Sequence, residues 1–225
     1  MTPHTFLFDM DGTLLDSTAA VVDAVATGLT RAYAHHHLPP VEPDIALISR
    51  CMGLATHAYF EQAFPADSVP ENLRSEFALS YGRFTAEEEV AAIDRGETRL
   101  YDGVAESLTA LKSRGHTLLL FSNAGEIYFD AIIQGHDFKR WFTRTLCVER
   151  ARREELAMDK NAMVRVMIDD PGNAIVIGDR IHDIDAGRLA GARTIGCLYG
   201  FGEASEFVTA DWTVDSPAGW LNITP

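Results

Sequence analysis

Two carboxylates stand two residues apart at Asp9 and Asp11, in the run Phe6-Leu7-Phe8-Asp9-Met10-Asp11-Gly12-Thr13-Leu14. An apolar triplet leads straight into them, and Gly12 supplies the backbone freedom for a sharp turn. Carboxylates spaced this way, where a chain turns, can face one cavity. One can then attack phosphorus while the other handles protons on the entering and leaving oxygens. Two such charges beside an anionic substrate call for a cation, and hard oxygen donors suit magnesium. Asp-Gly is also an ordinary turn signal, so this run alone leaves both readings open.

A second acidic pair lies far along the chain, in Gly178-Asp179-Arg180-Ile181-His182-Asp183. It too follows an apolar run. Asp179 reads as a metal ligand. Asp183 is four residues on, so a helix starting there puts the two on one side. Asp183 then serves as a further ligand or a support, or as an early-turn residue favoured by the helix dipole.

The elements that must position these groups are legible as short apolar runs. Phe6 to Phe8 ends at Asp9, Thr117 to Phe121 ends at Ser122 and Asn123, and Ala174 to Ile177 ends at Gly178 and Asp179. Continuous rather than alternating runs suit strands buried on both faces. Thr145 to Val148 and Thr194 to Leu198 are weaker versions. Between them, Gly103 to Arg114 places Val104, Leu108 and Leu111 on one helical face, with Asp102 as N-cap and Gly115 as the stop. Asp183 to Leu189 is likewise closed by Gly191. Alternating strand and helix implies a Rossmann-like parallel sheet of the α/β class, with ligands bound beyond the carboxyl ends of the strands.

From about Asp16 to Gly96 the alternation breaks and the pattern is helical. Val21, Val22, Val25, Leu29 and Tyr33 share one face, and Asp44 to Phe64 and Glu71 to Ala92 continue it around Pro65 and Pro70. This stretch is either a cap inserted over the site or part of the core. The run Ala34 to Pro40, with three adjacent histidines, reads as a solvated helix end, because three successive side chains on a helix cannot converge on one metal.

The 225 residues carry 33 acidic and 19 basic side chains, a net charge of −14. That balance argues against nucleic acid or an anionic membrane as partner, while small anions stay accessible through a bound cation. No apolar run approaches the roughly 20 residues that cross a bilayer. The N-terminus shows no signal peptide, and a cytoplasmic protein is expected. Cys51, Cys147 and Cys197 form no CxxC pair and read as buried thiols in a reducing compartment.

With these residues in place, DMDGTLLDS resembles the first motif of the haloacid dehalogenase superfamily, FSNA its second, and GDRIHDIDAG its fourth. The likeness covers residues 1–15 and about 97–200, closest to the branch of phosphoglycolate-phosphatase-like and β-phosphoglucomutase-like proteins. It implies a core domain of residues 1–15 and 97–225 and a helical cap domain of residues 16–96. It implies that Asp9 forms an aspartyl-phosphate and that Asp11 acts as general acid, then base. The carboxylates of Asp9 and Asp179 and the main-chain carbonyl of Asp11 would hold Mg2+. Ser122 would bind a phosphoryl oxygen, Thr13 would orient Asp11, and N–H groups near Asp11 and Asn123 would complete an anion cradle.

The resemblance also requires a lysine. Of the three present, Lys112 lies on a crossover helix and Lys139 in a surface turn, whereas Lys160 opens a helix before the fourth motif and fills the role. Three departures weaken any choice of substrate by analogy. Asn161 follows the lysine where Pro is common, Ala124 follows Asn123 where Lys is common, and the Lys160–Asp179 segment is short. The expected activity is hydrolysis of a small phosphomonoester. A phosphomutase is the near alternative, and a non-catalytic binding module the distant one. Dehalogenation would leave Asp11 and the metal cluster without a role. Arg150, Arg152 and Arg153, set among glutamates, read as a salt-bridged face.

Overall fold

The computed structural model describes residues 3–54, 56–64 and 66–223. In chain order the elements are β1 (Thr5–Phe8), β2 (Leu15–Asp16), α1 (Thr18–His35), α2 (Ile45–Arg50), α3 (Thr56–Ala63), α4 (Arg74–Asp94), β3 (Arg99–Leu100) and α5 (Val104–Ser113). There follow β4 (Thr117–Ser122), α6 (Glu126–Gly135), β5 (Arg144–Cys147), α7 (Val148–Arg153), α8 (Lys160–Met167), β6 (Ala174–Gly178), α9 (Ile181–Ala190), β7 (Arg193–Cys197) and β8 (Trp212–Val214).

Six strands form one sheet in the order β5-β4-β1-β6-β7-β8, each pair parallel. The fold is Rossmann-like α/β, as expected. The chain builds outward from β1 through β4 to β5, then returns to lay β6, β7 and β8 on the other side. That reversal makes the crevice beyond the carboxyl end of β1 a topological switch point, the usual ligand position in such sheets.

The apolar runs divide by alternate residues. Phe6, Phe8, Leu118, Leu120, Ile175 and Ile177 pack on one face with Val104, Leu108 and Leu111 of α5. Leu7, Leu119, Phe121 and Val176 pack on the other with Met163, Val164 and Met167 of α8. Side chains alternate along a strand, so one covered on both faces must be apolar throughout. Each large aliphatic buried this way contributes roughly 1.5–3 kcal/mol.

Some local expectations are corrected. Asp102 does not cap α5; Gly103 occupies the N-cap at φ +86, which puts Asp102 one residue too early to reach the first-turn N–H groups. The two weaker runs form strands one residue earlier than read: Val148 opens α7, and β7 ends at Cys197. β8, a three-residue edge strand, is too short for a periodic signal. Gly115 and Gly191 do stop α5 and α9, at φ +84 and +80.

Between β2 and β3 the regular structure is helical. β2 and β3 pair antiparallel, Leu15 with Leu100 and Asp16 with Arg99, so the chain leaves and returns side by side. α1 buries Val21, Val22, Val25, Leu29 and Tyr33, and the Tyr33 ring meets Phe77 of α4 edge-on at 4.9 Å. Gly28 permits the close approach of these helices, since a Cβ there would run into Thr85. The histidine run closes α1, with His35 and His37 exposed. Pro70 precedes a short turn before α4; Pro65 lies outside the described residues. The three cysteines are free and buried. No helix among the described residues is long and apolar enough to cross a membrane.

Candidate active site

The carboxyl end of β1 carries Asp9, whose N–H donates to Ile177 O at 2.8 Å and extends the ladder to β6. The strand thereby fixes the backbone of Asp9 rigidly. The chain then turns at Gly12, which has φ +81. A Cβ at Gly12 would run into the Asp179 carboxylate, so only glycine lets the two segments approach this closely.

Lys160 opens α8, which is capped by Asp159 accepting from Ala162 N at 2.8 Å. Its ammonium lies 2.6 Å from Asp9 Oδ1 and 2.6 Å from Asp183 Oδ1, and 4.9 Å from the centre of the Phe121 ring. Burial by itself would lower the Lys160 pKa; the Asp183 and Asp9 carboxylates outweigh it and hold the ammonium charged.

Asp11 is held by two hydroxyls, Ser17 Oγ and Tyr128 OH, each donating to Oδ1 at 2.6 Å. Burial pushes its carboxyl above the usual range, and the two hydrogen bonds restrain the shift. Thr13 does not orient Asp11. Its hydroxyl donates to Asp179 Oδ1 at 3.1 Å, because the left-handed turn at Gly12 sends the side chains on either side of it to different neighbours. Asp179 Oδ2 also accepts from Phe201 N at 2.8 Å. Asp183 accepts from Arg180 N at 2.9 Å and closes the first turn of α9. Its other oxygen faces Lys160, so it joins the helix start to the lysine.

Ser122 and Asn123 follow β4. Ser122 is buried, and its oxygen accepts from Ala124 N at 3.0 Å. Asn123 Nδ2 donates to Gly53 O at 3.1 Å. Arg180 makes a parallel reach: Nη1 donates to Met52 O at 2.5 Å while Nε donates to Glu206 at 3.2 Å. Two side chains from the sheet's carboxyl edge thus hold the turn after α2. Arg180→Ala removes both charge-assisted hydrogen bonds, and the one to Met52 O that ties down this turn is worth about 1.5–3 kcal/mol. Amide exchange at residues 51–54 is expected to speed up at least about tenfold, read by hydrogen–deuterium exchange.

These groups share one cavity of about 410 Å³. Asp9, Asp11, Ser122, Asn123, Lys160 and Arg180 line it from the sheet side, and α1 and α4 from the other. Behind it, Asp9, Asp179 and Asp183 bring ligand oxygens within 4.8 Å of one another. One ammonium cannot balance three carboxylates. Burial raises the Asp9 carboxyl well above its ordinary value, and the neighbouring Asp183 and Asp179 add to the push. Asp179 is pushed up to about 7, first by burial and then by Asp183. An all-oxygen, charge-rich, buried set of this kind fits a small hard cation.

All the residues singled out from the sequence thus gather around one crevice. Ser17, Tyr128 and Arg180 were not singled out. Ser17 lies within the DMDGTLLDS run, and its spacing from Asp11 was the available signal. Tyr128 is 117 residues away from Asp11, and no local pattern ties it there. The arginine cluster forms a salt-bridged face as expected, although the partners are mainly Glu126 and Asp130.

A family model for haloacid dehalogenase-like hydrolases matches residues 3–191. The chain belongs to that family and is an enzyme of the hydrolase class. It is 29% identical over 204 residues to a 5'-nucleotidase of Pseudomonas aeruginosa, covering 89% of this chain and 85% of the relative. It is also 29% identical over 198 residues to a phosphoglycolate phosphatase of Agrobacterium fabrum, covering 87% and 80%. A predicted phosphatase from Clostridium acetobutylicum shares the fold with a TM-score of 0.75 at 22% identity, over 99% of this chain and 100% of that one.

Proposed function

We propose that this protein is a magnesium-dependent phosphatase that hydrolyses a small phosphomonoester through a phosphorylated Asp9. The observation that carries this reading is the convergence of Asp9, Asp11 and Lys160 on one cavity at the switch point of the sheet. The two relatives named above, a nucleotidase and a phosphoglycolate phosphatase, support the reaction class.

The substrate phosphoryl group enters against the Lys160 ammonium, the Ser122 hydroxyl and the N–H groups near Asp11 and Asn123. Asp9 attacks phosphorus in line; the new bond from its oxygen forms as the ester P–O bond breaks. Protonated Asp11 gives its proton to the departing alkoxide. Burial raises its pKa, the direction a general acid needs. Asp11 then takes a proton from water, which attacks phosphorus, frees inorganic phosphate and restores Asp9. Ser17 and Tyr128 keep the Asp11 carboxyl aimed through both steps.

Asp9 and Asp179, with the main-chain carbonyl of Asp11, would hold Mg2+, and Asp183 supports the set through Lys160 and Arg180. The ion supplies neutralising charge that lets a carboxylate approach an anionic phosphate. Residues 16–96 act as a cap over a core of residues 1–15 and 97–225, and exclude bulk water during transfer. The buried free cysteines suit a reducing compartment such as the cytoplasm.

The test is phosphate release from a panel of phosphomonoesters, with magnesium or with EDTA. Release is expected only with the metal. Magnesium at about 100 times its Kd should also stabilise the protein by about 2.7 kcal/mol in thermal unfolding. Release that persists undiminished in EDTA, with no thermal shift, would overturn the metal assignment.

A further inference from the structure

The chain packs against Asp179 a second time just after β7. That strand ends at Cys197, and the next residues run Leu198-Tyr199-Gly200-Phe201-Gly202. Leu198 N donates to Val214 O at 2.9 Å, which ties the start of this segment to β8. Gly200 lies directly against Asp179: a Cβ there would run into the Asp179 side chain and the Gly12 carbonyl. Gly12 crowds the same carboxylate, so two separate segments approach Asp179 at a distance that only glycine permits.

Both oxygens of Asp179 are engaged by donors that this segment controls. Phe201 N–H donates to Oδ2 at 2.8 Å, and the Thr13 hydroxyl donates to Oδ1 at 3.1 Å. Thr13 is itself held by Tyr199, whose hydroxyl donates to the Thr13 carbonyl at 2.9 Å. The Tyr199 ring is braced independently, edge-on to Tyr101 at 5.0 Å. Thr13 and Asp179 are both fully buried, where a lost hydrogen-bond partner is costly. A carboxylate held at both oxygens and crowded by two backbone segments has little freedom to rotate.

That restraint bears on which cation the site prefers. Magnesium demands near-ideal octahedral geometry, whereas calcium accepts irregular sets and takes carboxylates through one oxygen or both. A pinned carboxylate cannot swing its whole edge toward a larger ion. We propose that Tyr199 and the Gly200–Phe201 backbone are positioning elements that restrict Asp179 to one-oxygen coordination and so make the site selective for magnesium over calcium. This rests on the metal assignment above, under which Asp179 is a ligand.

The test is calorimetric binding of magnesium and of calcium, without substrate, to wild type, Tyr199→Phe and Gly200→Ala. Thermal unfolding in EDTA checks the folding of each. Wild type is expected to bind magnesium more tightly than calcium. Tyr199→Phe removes one hydroxyl and leaves the ring against Tyr101. Its magnesium affinity should fall by about twofold to tenfold, the reach of one hydrogen bond, and its calcium affinity by less. Gly200→Ala forces the segment away from Asp179. Its loss of magnesium affinity should reach about 10–100-fold, as when a partner that orients a metal ligand is removed, again with the smaller loss for calcium. A segment that merely stabilised the fold would lower the unfolding temperature in EDTA and leave the ratio of the two dissociation constants unmoved. An unmoved ratio in Tyr199→Phe would overturn the proposal, even if Gly200→Ala failed to fold, and would leave the metal assignment standing. A wild type that prefers calcium would overturn it as well. If wild type binds neither ion, the metal assignment itself fails and this proposal falls with it.

Discussion

Asp9→Asn is expected to abolish phosphate release, by at least about 10³-fold, as removal of a nucleophile does elsewhere. The amide keeps the size of the side chain and its place at the end of β1, but it cannot form the acyl phosphate. The stability consequence should run the other way. Asp9 is packed against Asp179 and Asp183, and its carboxyl is pushed up by burial and then by those charges. Removing one negative charge relieves that repulsion, while Lys160 retains Asp183 at 2.6 Å. Thermal unfolding in EDTA should show Asp9→Asn to be at least as stable as wild type, the pattern expected where a site trades stability for activity. An Asp11→Asn variant given p-nitrophenyl phosphate, whose phenolate leaves without an acid, supplies the complementary readout: mass spectrometry should find phosphoprotein in it and none in Asp9→Asn. Full turnover by Asp9→Asn would end the nucleophile assignment.

Lys160→Met is expected to lose activity to a similar degree and, unlike Asp9→Asn, to lose stability. The ammonium is the counter-charge shared by Asp9 and Asp183. Methionine fills comparable space, so packing against Phe121 survives, but the carboxylates are left uncompensated. Breaking a buried ion pair from one side costs about 3–5 kcal/mol. For a chain of this size that corresponds to a fall in Tm of roughly 6–20 °C. Magnesium should recover more stability in this variant than in wild type, because the cation then meets a larger unbalanced charge. Calorimetric unfolding of both proteins, with and without magnesium, checks this. A Tm equal to wild type in EDTA would show that Lys160 does not balance the cluster.

The opposite stability signs of these two variants distinguish a charge-clustered active site from an ordinary structural salt bridge. In an ordinary pair, truncating either partner strands the other and destabilises the fold. Here one cation serves several anions, so only the loss of the cation is costly.

Much of the sheet was legible in the chain because a strand covered on both faces carries few polar residues, and those it carries, such as Thr194, are hydrogen-bonded. The runs ending at Asp9, Ser122 and Asp179 follow from that rule. They also mark the carboxyl ends of β1, β4 and β6, where a doubly wound sheet exposes its switch point. Asp9, Asp11, Asp179 and Lys160 could therefore be singled out from local pattern and resemblance. Glycine punctuation at Gly12, Gly115 and Gly191 was readable for the same local reason, a backbone at positive φ.

What the linear chain did not contain is which partners meet across it. Thr13 was expected to serve Asp11 but serves Asp179, 166 residues away. Asp11 is instead aimed by Tyr128, from a helix that follows β4. Arg180 and Asn123 take backbone carbonyls of the turn at Met52 and Gly53, and Glu89 enters the cavity from the face of α4. Sequence determined the central strands β1, β4 and β6, their ends and the acidic residues placed at two of them, because those depend on alternation and turn chemistry over a few residues. Tertiary structure alone decided the hydrogen-bond partners and the far wall of the cavity, because those depend on how separate segments approach in three dimensions.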